Sequence, residues 1–265
     1  MKRSSDLVAT LGAPVNRILR RFGYAVVPTP DSSVLPSVDF PDATEQDREI
    51  TSAARPFTMT SDERIWSLLE SVRYLTRNGI QGDFVECGVW RGGSVMAMML
   101  MLAQLNDDSR VVWLYDTFEG MTPPSDADVE ISSGQPAEEL LASSAPLSGE
   151  NIWALSPVAE VERNVRSTGY PADLVRIRQG DVTDTLRTEI PEQIALLRLD
   201  TDWYDSTLLE LEILFPRLVT GGICIIDDYG HWRGSRRAVD EYFARQTNKP
   251  LLSRIDYSGR LIIKS

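Results

Sequence analysis

The stretch LLRLDTDWYDST, residues 196–207, runs from an apolar segment directly into Asp200, Asp202 and Asp205. Carboxylates at that spacing repel one another and raise each other's pKa. A second acidic pair, Asp227-Asp228, closes the apolar run GGICII. If adjacent strands bring Asp200, Asp227 and Asp228 together, a hard divalent cation relieves the repulsion. All-oxygen ligation with open water positions suits Mg2+, and the sequence has no His/Cys cluster for zinc. Asp205 is expected to N-cap the helix that follows. Asp202, two residues past Asp200, points to the same side of an extended chain. It can stay near the metal without ligating it and take a proton from a substrate hydroxyl as general base.

A second set of residues describes a nucleoside pocket. VECGVWRGGS supplies Glu86, Gly88, Gly92, Gly93 and Ser94. Glycines after a strand let the backbone turn tightly and approach a ligand, and a helix N-terminus follows at Ser94. Asp116 closes the next apolar run, where an acid can accept hydrogen bonds from both ribose hydroxyls. Asp181 closes the third. The turn is G-x-x-x-G-G rather than the dinucleotide G-x-G-x-x-G. A carboxylate at Glu86 disfavours an anionic diphosphate and suits a cofactor with an amine or a cationic centre, as S-adenosyl-L-methionine has. An NAD-dependent oxidoreductase would share the nucleoside half but has no use for the later acids.

These residues need a scaffold that gathers them. Strand-like runs at 83–89, 111–117, 175–181, 194–201 and 221–228 alternate with helical patterns near 94–105, 157–168, 205–216 and 234–246. The stretch 60–79 reads as a helix with Thr60 or Ser61 as N-cap and Gly79 as stop. Such alternation predicts an α/β fold, a doubly wound, mostly parallel sheet with helices on both faces. Short strands near 251–255 and 260–264 predict an edge hairpin. In such sheets ligands sit at the carboxyl ends of the strands, where the acids cluster. Residues 5–22 read as an amphipathic N-terminal helix, and 28–56 as a linker or mobile arm. The expected organisation is therefore an arm over 1–55 and a catalytic domain over 56–265, with 119–156 as a lid-like insertion.

Composition narrows the partners. The 265 residues carry a formal net charge of −12, which argues against a nucleic-acid binder. No apolar run approaches the ~20 residues of a membrane span. No signal-peptide core is present, so a cytoplasmic protein is expected. Cys87 and Cys224 lie in apolar runs and are expected to be buried free thiols.

GDFVECGVWRGGS, LYDTFEGM, GDVTDTL, IALLRLDTDWYDST and GGICIIDDYGHWRGSRRAVDEYF, taken in order, closely resemble the macrocin O-methyltransferase (TylF-like) family of antibiotic biosynthesis. The resemblance implies a class I, Rossmann-like methyltransferase that uses S-adenosyl-L-methionine and Mg2+ to methylate a sugar hydroxyl. The expected acceptor is a small-molecule glycoside or saccharide, and the enzyme a homodimer or higher homo-oligomer. A catechol-type phenolic acceptor is the alternative. By resemblance Asp200, Asp227 and Asp228 match metal ligands, and Asp202 the general base. Glu86, Asp116 and Asp181 match cofactor positions. PFTMTSDERIW, 56–66, looks like the segment that closes over the cofactor, which makes Met59 a contact. His231, the one histidine, lies just past the metal strand as an orienting group or reserve base, against a plain structural role. Trp203, Tyr204 and Trp232 fall at the same rim, where aromatics can stack on a sugar face.

Overall fold

The computed structural model describes residues 40–145 and 152–265. The helix expected at 5–22, and the linker up to residue 39, lie outside them.

Helix α1 (Glu45–Ala54) opens on a capping box: Thr44 accepts from the Asp47 backbone N–H, and the Asp47 carboxylate accepts from that of Thr44. Ile50 and Ala54 are buried in the core, and Asp47 pairs with Arg73. This part of the expected linker is thus an ordered helix; two buried apolar residues in ten are too few to show a period. The compact unit accordingly runs from Pro41 to Ser265, so it begins earlier than the expected boundary at 56. A single 3-10 turn (Arg55–Phe57) leads to α2 (Asp62–Arg77), where the Ser61 hydroxyl accepts from the Arg64 N–H. Ile65, Leu68, Leu69, Val72 and Leu75 form its buried stripe.

The remaining elements are β1 (Asp83–Cys87), α3 (Gly93–Gln104), β2 (Val112–Asp116), α4 (Ala137–Ser143), α5 (Val158–Arg166), β3 (Val175–Gln179), α6 (Val182–Thr185), β4 (Ile194–Leu199), α7 (Tyr204–Leu214), β5 (Leu218–Ile226), α8 (Arg233–Ala244), β6 (Ser253–Arg254) and β7 (Arg260–Ile263). The strands form one seven-stranded sheet, ordered β3-β2-β1-β4-β5-β7-β6. The first five are parallel, and β7 joins β5 and β6 antiparallel as the expected edge hairpin. Alternate side chains serve the two faces. Phe84, Leu114, Leu196 and Ile223 pack with α2 and α3, whereas Val85, Tyr115, Leu197 and Cys224 pack with α7 and α8. Both cysteines are buried and free, and burial pushes both thiols up. No helix among the described residues is long and apolar enough to cross a membrane.

Strand order reverses at β1, between β2 and β4, and a crevice opens there at the carboxyl ends. Gly88 adopts φ 82°, and a Cβ at this position would lie 1.9 Å from the Asp200 carbonyl oxygen. Glycine is required where these two strand ends cross.

Candidate active site

A cavity of about 530 Å³ lies over these strand ends. The register Leu199↔Ile226 sets the end of β4 beside that of β5, so Asp200 meets Asp227-Asp228. Asp200, Asp227 and Asp228 each place a carboxylate oxygen within 4.8 Å of the others. The sequence did not reveal how far this charge is already balanced. Arg198 is 2% exposed and faces Glu86, its register partner on β1. The same guanidinium reaches Asp200 Oδ2 at 2.8 Å and Asp227 Oδ1 at 2.6 Å. Arg64, at the start of α2, pairs with Asp227 Oδ2 and, at 3.0 Å, with Asp256 Oδ2. Burial alone would raise the Asp227 pKa, but Arg198 and Arg64 outweigh it and hold the carboxyl below its usual value. Asp228 has no guanidinium partner among the described residues. Burial, with Asp202 and Asp227 beside it, pushes its carboxyl well above the usual range. The donor set fits a hard divalent cation: three convergent carboxylates, no softer ligand, and negative charge left over after both arginines. Asp227 is its most heavily committed member.

Asp202 reaches the cluster by a different route from the one expected. The chain is not extended there: β4 ends at Leu199, and Asp202 takes φ 65° in the left-handed region. This turn directs its backbone N–H to Asp228 Oδ2 at 3.3 Å. Burial, and then the charge of Asp200, push its carboxyl up to about 7. Asp205 is not an N-cap. Helix α7 starts at Tyr204, whose N–H donates to Asp128 Oδ1 at 2.8 Å. Asp128 is 1% exposed and comes from 76 residues earlier in the chain, so the local sequence held no sign of this cap.

Of the residues expected to hold the cofactor, Gly88, Ser94, Asp116 and Asp181 line the cavity, together with Met59, which is 43% exposed. Asp116 accepts from the backbone N–H groups of Val89 at 2.6 Å, Trp90 at 3.0 Å and Phe118 at 2.7 Å. Burial raises its pKa against these bonds. It therefore clamps the glycine turn as well as facing the cavity. Asp181 N-caps α6 through the Thr183 N–H at 2.8 Å. Two sequence candidates fall outside the cavity wall. Gly92 (φ 89°) faces Val161 and Val165 of α5, so its glycine serves helix packing. Glu86 is 1% exposed beneath the wall and paired to Arg198, and its Oε2 has no hydrogen-bond partner. Burial, partly offset by Arg198, moves its pKa up to about 7. Replacing Asp116 with Asn should lower S-adenosyl-L-methionine affinity by about tenfold or more, because one carboxylate oxygen becomes a donor facing backbone N–H donors. Calorimetry that shows unchanged affinity would remove Asp116 from the cofactor site.

The opposite wall is built by the insertion. Trp203 and Trp232 are each 3% exposed and meet edge to face at 4.9 Å, packed with Ala137 and Leu141. Trp203 serves as the core of this wall, whereas Trp232 also borders the cavity. Tyr204 points away, its hydroxyl on Glu241 at 2.7 Å. His231 lines the cavity with Nε2 3.6 Å from Glu130 Oε1 and Nδ1 3.4 Å from the Tyr257 hydroxyl. Both ring nitrogens thus face neighbours. Burial lowers its pKa although Glu130 opposes the shift.

Arg198, Arg64, Asp128 and Glu130 were all missed by sequence reasoning. Only Arg198 carried a signal, since a charge inside an apolar strand run demands buried partners.

A sheet in this order, parallel but for β7 inserted antiparallel between β5 and β6, with a glycine turn after β1 and an acid after β2, is the class I methyltransferase fold. Residues 36–263 match the family model of Macrocin-O-methyltransferase (TylF), and the chain belongs to that family of S-adenosyl-L-methionine-dependent O-methyltransferases. It is 37% identical over 202 residues to the 8-demethyl-8-(2,3-dimethoxy-alpha-L-rhamnosyl)-tetracenomycin-C 4'-O-methyltransferase of Streptomyces olivaceus, a match covering 76% of this chain and 73% of that one. It is 33% identical over 202 residues to the mycinamicin III 3''-O-methyltransferase of Micromonospora griseorubida, covering 76% of each. The solved O-methyltransferase NovP superposes with a TM-score of 0.67 at 32% identity, over 79% of this chain and 82% of that one.

Proposed function

We propose that this enzyme methylates a hydroxyl of a sugar borne by a natural product, with Mg2+ held by Asp200, Asp227 and Asp228. The observation that carries the reading is the convergence of three carboxylates in the same cavity as the glycine turn. When bound, S-adenosyl-L-methionine supplies an electrophilic methyl group, and the cation supplies Lewis acidity that lowers a hydroxyl pKa. The protein's own residues do the rest. Gly88, Ser94, Asp116 and Asp181 would hold the cofactor, and Asp202 would take the proton of the acceptor hydroxyl that receives the methyl group. Arg198 keeps Asp200 and Asp227 in place from below. The insertion closes the acceptor side and limits water access. His231 orients the acceptor wall.

The test is transfer of labelled methyl from S-adenosyl-L-methionine to mycinamicin III, to the dimethoxyrhamnosyl tetracenomycin and to catechol, with and without EDTA. Methylation of a glycoside, abolished by EDTA and restored by Mg2+, is the expected result. Full activity after chelation would sink the metal assignment, and turnover of catechol alone would sink the sugar.

A further inference from the structure

The insertion contributes one charged side chain to the cavity among the described residues, Glu130, in a wall otherwise made by groups such as Met121, Thr122, Leu140 and Ile152. Its backbone is held firmly. Glu130 bridges Trp232 antiparallel; on either side Ile131 N donates to the His231 carbonyl at 2.9 Å, and Arg233 N to that of Val129 at 2.9 Å. A bridge between Val129 and Pro136 closes the segment on itself. The carboxylate is also oriented: Ser133 Oγ donates to Oε2 at 2.5 Å, and Oε1 looks towards His231 Nε2 at 3.6 Å. The Ser133 bond holds its pKa below the usual value, so it is ionised at neutral pH.

An ionised carboxylate accepts hydrogen bonds and donates none. Arg198 and Arg64, the two guanidiniums of the cavity, are already engaged by Glu86, Asp200, Asp227 and Asp256. A ligand group placed at Glu130 must therefore be a donor and uncharged or cationic. A sugar satisfies this with a second hydroxyl.

Resting on the sugar reading above, we propose that Glu130 is an acceptor-specificity residue: its Oε1 receives a hydrogen bond from a hydroxyl of the acceptor other than the one methylated, on the wall that the insertion builds against the loop after β5. It takes no part in proton transfer or in cofactor binding. Glu130 selects and orients; Asp202 reacts.

Such a residue should separate KM from kcat. With the glycoside that the wild type methylates best among mycinamicin III and the dimethoxyrhamnosyl tetracenomycin, Glu130→Ala should raise KM about 10–100-fold, the loss expected for a hydrogen bond to a charged group. The value of kcat should stay within about threefold, because only binding common to ground and transition states is removed. Calorimetric affinity for S-adenosyl-L-methionine and the thermal midpoint should not move. Glu130→Gln, which keeps an acceptor oxygen, should recover part of the KM. An unchanged KM in Glu130→Ala overturns the proposal, and so does a fall in kcat at constant KM, which would put Glu130 at the reacting centre. A thermal midpoint that drops together with kcat overturns it in favour of a purely structural role. If the wild type methylates catechol and neither glycoside, the sugar reading itself fails and Glu130 loses its ligand with it.

Discussion

Asp202→Asn should lower kcat by about 10²–10⁴ while leaving cofactor and Mg2+ affinity nearly unchanged. The variant keeps size and shape but cannot accept the proton. The left-handed turn (φ 65°) that sets Asp202 next to Asp228 depends on the backbone, and asparagine tolerates that region well. A general base must be ionised, and burial and Asp200 push this carboxyl up to about 7. In the wild type kcat should therefore climb as pH rises towards about 7 and level off above it. Mg2+ should move this limb to lower pH by favouring the ionised form. The limb should be missing in Asp202→Asn, whose residual rate should keep rising as hydroxide replaces the base. The measurement is kcat against pH at several Mg2+ concentrations. Rescue of the variant by excess metal would move Asp202 into the coordination shell, and wild-type kcat would remove it from the mechanism, leaving His231 to be tried.

Arg198→Met should unfold the domain more readily than any other single change at the site. It leaves Glu86, 1% exposed, with no guanidinium partner, and Asp227, 2% exposed, with Arg64 alone. Removing one partner of a buried pair costs about 3–5 kcal/mol. At about 2–4 °C per kcal/mol for a domain of this size, the thermal midpoint should fall by roughly 6–20 °C. The loss should also depend on pH. The Glu86 pKa rises from 4.5 unfolded to about 7 folded, so the stability it contributes is complete below 4.5 and is lost as pH rises through 7. Without Arg198 the folded pKa rises further, so the gap between variant and wild type should be wider at pH 8 than at pH 5. Adding Glu86→Gln to the variant should narrow the gap at pH 8 by removing one uncompensated charge. Thermal melts at the two pH values check this; a midpoint within 2 °C of wild type at pH 8 would show that Arg198 is not the counter-ion of this cluster (~1 kcal/mol or less).

Apart from α4 and α6, which at seven and four residues are too short to show a period, the alternation of apolar runs and helical periods was enough to place the five parallel strands, the helices α2, α3, α5, α7 and α8, and the edge hairpin. These are local properties, set by side-chain spacing along a short stretch of chain. Because ligands gather at the carboxyl ends of parallel strands, the same runs pointed to Asp116, Asp181, Asp200, Asp227 and Asp228 before any partner was known. Where local pattern is weak, the sequence carries no such signal. Helix α1 shows two buried apolar residues, Ile50 and Ala54, and owes its order to α2 and α3 rather than to its own period. Asp205 looked like a cap because it stands at a helix start, yet the orphan N–H of Tyr204 is taken by Asp128. The charge balance of the site was equally hidden. Arg64 and Asp227 lie 163 residues apart, and Arg198 and Glu86 112 apart. Pairing across such separations depends on strand register and helix docking, and these exist only once the sheet has closed. The sequence by itself determined which strand ends deliver acids and glycines. Tertiary structure alone decided which of those acids are neutralised by arginine, which reach the cavity, and which side chains of the insertion line it.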